Sequence, residues 1–130
     1  MARKMTLRDA FASFSAAEGR NQRWSWSARS EDGETVVLAI WDFDITRDGD
    51  KVRVDVSMGG GVPKLGNKER VENLVWARDR CGGLFHVVVV TAKDREARPR
   101  SIAKCSPAPE LVMKLTELDE ATGAFRAESI

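Results

Sequence analysis

Between residues 24 and 56, hydrophobic positions alternate with polar or small ones around two turn signals. Asp32-Gly33 and Asp48-Gly49 are dipeptides typical of tight β-hairpins. A period of two is the pattern of a strand with one face in a core. The segment therefore predicts three consecutive antiparallel strands.

The two turns are independent signals, and they agree on which face of the strands is apolar. Asp32-Gly33 sets Ala28 opposite Val37, and Asp48-Gly49 sets Ile45 opposite Val52. The same registers also pair Trp26 with Ala39, Trp24 with Trp41, Phe43 with Val54, and Trp41 with Val56. Side chains of one parity share a face. The predicted apolar face carries Trp24, Trp26, Ala28, Val37, Ala39, Trp41, Phe43, Ile45, Val52, Val54 and Val56.

Further elements follow from periodicity and from helix-end signals. A short amphipathic helix is predicted from Thr6 to Gly19, with Leu7, Ala10, Phe11 and Phe14 on one stripe, and a second helix runs from Asn67 to Cys81-Gly82-Gly83. The apolar run Leu84–Ala92 predicts a strand buried on both faces. The reverse face of the second strand carries a stripe that we expect a helix to cover: Val36, Leu38 and Ile40.

The end of the chain predicts one more hairpin. Leu111–Leu118 and Ala124–Ala127 flank a turn at Asp119–Gly123. The whole chain, residues 1–130, is then one α+β domain. We expect a mostly antiparallel bent sheet, or a small β-barrel, of five to six strands with two flanking α-helices, because closure removes exposed edges.

Composition and charge narrow the class of partner. The chain has 21 Lys and Arg against 20 Asp and Glu, a net charge of +1, so strong non-specific attraction to nucleic acid is not expected. The two cysteines, Cys81 and Cys105, are far apart in the sequence and predict reduced thiols in a cytoplasmic protein. No run is apolar enough to predict a membrane span. No motif predicts a metal or another cofactor.

Two interpretations of the predicted tryptophan face stay open. Trp24, Trp26 and Trp41 could simply form core, since their face is the most apolar in the chain. Alternatively, the small residues Ala28 and Ala39 leave a slot beside the rings that suits a planar ligand such as an extruded base. Stacking on an aromatic ring is worth roughly 1–3 kcal/mol per base.

Asp42 follows Trp41 directly and is the carboxylate of most interest. At the rim of such a slot it could accept a proton from an exocyclic amine such as cytosine N4. Asp44 and Asp55 lie near it in the predicted register, as does Arg53. Acid–base chemistry is one use of such carboxylates, and a solvated face with an Asp44–Arg53 ion pair is the simpler one.

Basic residues near the second helix and in the segment 93–100 are candidates for contacts with phosphate. The beginning of that helix combines free backbone N–H groups with the helix dipole. The predicted phosphate contacts are Lys64, Asn67, Lys68, Arg70, Arg98 and Arg100.

Two segments, 21–27 with the hairpin after it and 66–79 running on to Gly83-Leu84-Phe85, carry a family resemblance together with Leu111–Phe125. They resemble small bacterial domains of the PUA-like class, which includes EVE-type and SRA-type readers and is sometimes found beside HNH nucleases. The resemblance implies a small bent barrel with flanking helices. It also implies recognition of modified bases, often by extrusion of the base into an aromatic pocket.

The sequence thus predicts a non-catalytic module that binds modified bases, such as methylated cytosine in DNA, through Trp24, Trp26, Trp41 and Asp42. The alternative is a protein-interaction domain whose anchor is an exposed Trp76 on the second helix. A small-molecule enzyme using Asp42 and Asp55 is the least favoured class, since acid–base residues are few.

Overall fold

The computed structural model describes residues 10–11, 14, 26–30, 33–57, 64–94, 96 and 102–130. Within them a short 3-10 turn, Asp42–Asp44, separates the second and third strands. The elements are β1 (Ser27–Arg29), β2 (Val36–Trp41), β3 (Ile45–Asp48), β4 (Lys51–Val56), α1 (Lys64–Arg80), β5 (Leu84–Ala92), β6 (Ile102–Leu118) and β7 (Phe125–Ser129).

The seven strands form one mixed sheet in the order β1-β2-β5-β6-β7-β4-β3. Strands β2 and β5 are parallel, and every other neighbouring pair is antiparallel. Although β2 and β3 follow each other in the chain, they occupy the second and the last positions. The four Cα–Cα steps from Trp41 to Ile45 reach at most about 15 Å, whereas five strand spacings in a flat sheet measure about 24 Å. The sheet must therefore bend strongly.

The expected fold class is wrong in its closure, its strand pairing and its helices. The described strands form an open mixed sheet that is mostly β, with a single long helix, instead of an antiparallel barrel of five to six strands with two helices. The turn Asp42–Asp44 ends β2 and redirects the chain, so the predicted meander does not form. Most of the first predicted helix lies outside the described residues. Of its described residues, Ala10 and Phe11 are helical.

The predicted register of the first hairpin is confirmed, and that of the second is wrong by two residues. Ala28 pairs with Val37 as expected, whereas Ile45 pairs with Val54 instead of Val52. The second loop is Gly49-Asp50, and Gly49 has φ +60°, a conformation that glycine adopts without steric cost. A shift of two residues keeps each side chain on the same side of its strand.

The predicted single apolar face is divided between two cores. The aromatic cluster contains Ala10, Phe11, Trp26, Ala28, Val37, Ala39, Trp41, Val88, Val90 and Cys105. The helix-side cluster contains Val36, Leu38, Ile40, Val52, Val54, Val56, Leu74, Ala77, Phe85, Val87, Met113, Phe125 and Ala127. The valines of β4 lie in the second cluster because the chain changes direction between β2 and β3.

Helix α1 covers the reverse face of β2, as the apolar stripe there predicted. Leu74 and Ala77 pack in the helix-side cluster with the alternate side chains of β2. Beyond Arg80 the chain leaves the helix through Gly82 and Gly83, whose φ angles are +65° and +80°. The indole Nε1 of Trp76 donates a hydrogen bond of 2.8 Å to the carbonyl of Gly33. This bond ties the helix to the first hairpin.

The last hairpin forms as predicted, with Leu118 opposite Phe125. Its first strand, however, begins at Ile102 and includes two prolines. Pro107 pairs with Val88, and a register shift with β5 follows before Val112. A proline is tolerated in a strand at a bulge or where one side is not paired. Because prolines usually argue against a strand, the sequence did not predict the first half of β6. No helix in the described ranges is long and apolar enough to cross a membrane.

We expect Gly33→Ala to destabilise the fold more than Gly82→Ala. Both glycines have positive φ, so each alanine costs about 1 kcal/mol in backbone strain. At Gly33 a Cβ would also lie 2.8 Å from Cζ2 of Trp76, whereas nothing lies within 4 Å of a Cβ at Gly82. Urea denaturation should show a further loss of about 1 kcal/mol or more for Gly33→Ala. Equal losses of unfolding free energy in the two variants would contradict a tight contact between residue 33 and the Trp76 ring.

His86 should make stability depend on pH below neutrality. Burial lowers the pKa of His86 from its ordinary value of 6.5. The unfolded chain then takes up a proton at higher pH than the folded protein does. Stability is therefore complete above about pH 6.5 and decreases as the pH falls through the pKa of the folded state.

The check is the free energy of unfolding of wild type and His86→Gln between about pH 7.5 and pH 5.5. Carboxylates contribute equally to both proteins, so their difference isolates the histidine. We expect wild type to lose more stability than the variant over this range. Parallel pH profiles would contradict the assignment.

Candidate functional site

Two of the three predicted pocket tryptophans belong to the core. Trp26 is 5% exposed and Trp41 is 1% exposed, and their ring centroids are 4.8 Å apart at an interplanar angle of 47°. Trp24 lies outside the described residues. The faces of Trp26 and Trp41 are thus occupied by other side chains, and a ligand cannot stack on either ring directly.

The aromatic cluster nevertheless reaches the surface at Phe43. The Phe43 ring lies nearly parallel to the Trp41 ring, with 5.8 Å between centroids and an angle of 11°. Beside it is a recess of about 240 Å³, lined in the described part of the chain by Asp42, Phe43, Thr91 and Ala92. This volume is below the ~300 Å³ at which pockets for drug-sized ligands begin. It suits a single planar heterocycle.

The recess lies where two parallel strands end. Trp41, the last residue of β2, pairs with Val90 near the end of β5. Asp42 and Phe43 follow one strand, and Thr91 and Ala92 complete the other. The carboxyl ends of neighbouring parallel strands are where α/β sheets usually hold ligands, because both chains turn away there and leave a crevice.

Asp42 is the charged side chain among the described residues that line the recess. Its carboxylate is exposed and makes no ion pair or hydrogen bond with the described residues. Thr91 alternates along β5 with Val90 and Ala92, which both pack with the aromatic cluster, so the Thr91 hydroxyl projects from the opposite face of the strand. Its cross-strand partner Lys104 shares that opposite face. The recess therefore combines one acceptor with an aromatic ring.

Arg70 was predicted to contact phosphate, but it lies inside the protein. The residue is 1% exposed, and its Nη1 donates a hydrogen bond of 3.3 Å to the carbonyl of Ala39. Its Cζ is 5.4 Å from the Phe125 ring centroid. Burial lowers the pKa of Arg70 to about 10, and the negative charge of Asp44 opposes this shift. The guanidinium therefore lies between α1 and the sheet, within reach of the charge of Asp44 and away from any surface phosphate.

The other predicted phosphate contacts do not form one site in the described residues. Helix α1 begins at Lys64, so Asn67 is inside the first turn, where its Nδ2 donates a hydrogen bond of 3.2 Å to the carbonyl of Thr122. Lys68 is exposed on the helix. The side chain of Lys64, and Arg98 and Arg100 entirely, lie outside the described residues.

A second, larger cleft is less suited to a ligand because its charges already have partners. It measures about 410 Å³ and lies beside Asp55, Glu117 and Phe125. Arg126 bridges the two carboxylates, at 3.4 Å from Asp55 and 3.8 Å from Glu117. Asp119, also on this cleft, accepts hydrogen bonds from two backbone N–H groups of its own turn.

The carboxylates that the sequence grouped are separated in space. Asp42 borders the recess and Asp55 borders the larger cleft, so they do not form a catalytic pair. Arg53 pairs with Asp48 and Glu128, and the expected Asp44–Arg53 ion pair is wrong. Trp76, the expected exposed anchor, is half-buried against the helix-side cluster.

Sequence reasoning missed Phe43, Thr91 and Ala92 as site residues. The available signal was the apolar run Leu84–Ala92, since a strand buried on both faces is typical of parallel pairing. Parallel pairing with β2 would have brought the residues after Trp41 and Val90 together. The alternating pattern alone predicted that β2 belongs to a meander. The pairing of β2 with β5, and the recess at the ends of these strands, were therefore not predicted.

Two substitutions of Arg70 distinguish the effect of its charge on stability from the effect of its volume. Arg70→Met removes a buried cation whose Nε and Nη2 have no hydrogen-bond partner in the described residues, so we expect unchanged or higher stability, by up to about 3 kcal/mol. Arg70→Ala leaves a cavity and should cost about 2 kcal/mol or more. Urea denaturation measures both. A methionine variant much less stable than wild type would show that the buried charge is well compensated.

Comparison of the chain with protein-family models, with curated proteins and with solved structures finds no match in any of the three.

Proposed function

We propose that this protein is a non-catalytic module that binds a nucleic acid base in the recess beside Asp42 and Phe43. The observation that carries the proposal is the Phe43 ring, held parallel to Trp41 at the border of a recess of about 240 Å³. A fixed aromatic surface next to a space of that size favours a flat ligand.

The stacking surface is supported from within the fold. Phe43 rests on Trp41, and Trp41 contacts Trp26, so the ring is backed by a packed core and not by solvent. A surface held in place before binding loses little conformational entropy when the ligand arrives. Stacking of about 1–3 kcal/mol per base is then largely retained.

The polar groups favour a base with an exocyclic amine. The Asp42 carboxylate accepts hydrogen bonds only, so it suits cytosine N4 or adenine N6 and opposes the O4 acceptor of thymine. In cytosine the C5 position adjoins the amine. Ala92 also lines the recess, and we propose that its methyl side chain receives the C5 methyl group of 5-methylcytosine.

A cation near the recess is available for the backbone. Lys93 directly follows β5 and is exposed. Neutralisation of phosphates by lysine makes binding depend on salt. Cys81 and Cys105 are far apart in the sequence, which favours reduced thiols, and we propose a cytoplasmic location for this function.

The test is binding of oligonucleotides that differ at one position, cytosine, 5-methylcytosine or thymine, measured by fluorescence anisotropy. Phe43→Leu keeps an apolar side chain but removes the π face, and we expect about tenfold weaker binding. Phe43→Trp keeps a ring and should retain affinity. Asp42→Asn, whose amide both donates and accepts, should lose the preference for cytosine over thymine.

Asp50→Asn is the matched control, because Asp50 is an exposed carboxylate in the Gly49-Asp50 loop. It should bind like wild type. Phe43→Leu with unchanged affinity for every oligonucleotide would overturn stacking in the recess. An unaltered base preference in Asp42→Asn would overturn the role of the carboxylate.

A further inference from the structure

The indole of Trp76 contacts two arginines that are not part of the recess. The guanidinium carbon of Arg29 is 4.1 Å from the ring centroid of Trp76, and that of Arg80 is 4.3 Å from it. Arg29 comes from the edge strand β1, and Arg80 is the last residue of α1. Because both contacts are made to one indole, the two guanidinium carbons are at most about 8.4 Å apart, the sum of the two distances.

Neither cation is neutralised by a described residue. No ion pair joins Arg29 or Arg80 to any carboxylate in the described ranges, whereas Arg78, two residues away, binds both Asp79 and Glu120. Two adjacent guanidinium groups repel each other, and an anion placed between them relieves this repulsion. The positive charge of the pair is therefore not compensated by any described carboxylate.

The geometry leaves the hydrogen-bonding groups available. A guanidinium that rests its face on an aromatic ring keeps its five N–H donors directed outward in its own plane. The ring is fixed by the bond from Trp76 Nε1 to the carbonyl of Gly33. Arg29 is half-buried and Arg80 is exposed, so both donor edges can reach solvent.

We propose that Arg29 and Arg80, supported by Trp76, form a phosphate-binding site that holds the backbone of a nucleic acid. Planar forks of N–H donors match the tetrahedral oxygens of a phosphate and bind two of them at once. That the phosphate belongs to a nucleic acid rests on the proposed function. The site itself does not, because it contains no residue of the recess.

The site is remote from the recess. Arg29 pairs with Val36 at the beginning of β2, whereas Asp42 follows the end of that strand, and the five residue steps of β2 cover about 17 Å. The two sites also lie on opposite faces of the sheet, because Trp76 packs against the helix-side cluster and Phe43 packs against the aromatic cluster. A nucleic acid that contacts both sites must therefore pass around an edge of the sheet.

The first experiment needs no nucleic acid. Inorganic phosphate is titrated into wild-type protein at constant ionic strength set by chloride, and the Nε–H signals of Arg29 and Arg80 and the indole N–H signal of Trp76 are followed by NMR. Saturable shifts at these three groups, with none at Arg53 and Arg126, support the site. Absence of saturation, or equal shifts at all four arginines, overturns it.

The second experiment compares two double variants that remove the same charge. Arg29→Gln/Arg80→Gln alters the proposed site, and Arg53→Gln/Arg126→Gln alters two exposed arginines that are already ion-paired. For a single-stranded oligonucleotide, the slope of log K against log salt should decrease by about 0.7 for each phosphate that the protein no longer neutralises, and only in the first variant. Equal decreases in both variants would show a mere effect of net charge and overturn the proposal.

An abasic strand separates this site from the recess. It carries phosphates without bases, so its affinity should depend on Arg29 and Arg80 and should not change in Phe43→Leu. If affinity for the ordinary strand depends on the two arginines but not on Phe43 or Asp42, the recess proposal fails and the phosphate site stands. If affinity for the abasic strand is unchanged in Arg29→Gln/Arg80→Gln, the phosphate site fails.

Discussion

Strand β2 is the constraint on which the rest of this molecule depends. All six of its residues, Val36–Trp41, are buried, and they alternate between two cores. Val36, Leu38 and Ile40 pack under α1, and Val37, Ala39 and Trp41 pack in the aromatic cluster. A strand buried on both faces needs partners on both edges, because an unpaired backbone polar group in a core is costly. Here β1 and β5 supply them, and the parallel pairing with β5 determines where the surface recess lies.

The two cores have different consequences for function. The aromatic cluster extends through Trp26 and Trp41 to the half-buried ring of Phe43, just beyond the end of β2. The helix-side cluster instead encloses a charge, since the Arg70 guanidinium lies between the Ala39 carbonyl and the Phe125 ring. A buried cation weakens a core unless its hydrogen bonds are satisfied. The negative charge of Asp44, in the turn that carries Asp42 and Phe43, acts on this cation.

Charged residues on the sheet surface fall into two groups that differ in their partners. On β4, β6 and β7, Arg53 and Arg126 each contact two carboxylates. Exposed ion pairs of this type contribute little to stability, but they neutralise the charge of this part of the surface. At the other end of the sheet, Arg29 and Arg80 share one indole and have no such partner in the described ranges. The net charge of the chain, +1, does not reveal this difference between the two groups of arginines.

Local interactions in the sequence determined much of this protein. The pairing of Ala28 with Val37, the helix over the reverse face of β2, and the last hairpin could all be predicted, because each depends on turn chemistry or on periodicity over a few residues. The choice of partner for β2 could not. Asp42–Asp44 continues the alternating pattern, yet it forms a 3-10 turn that sends β3 to the far edge of the sheet. Strand pairing between distant segments is decided by how the whole core packs, and only the tertiary structure brought Phe43 to Thr91 and the two arginines to Trp76.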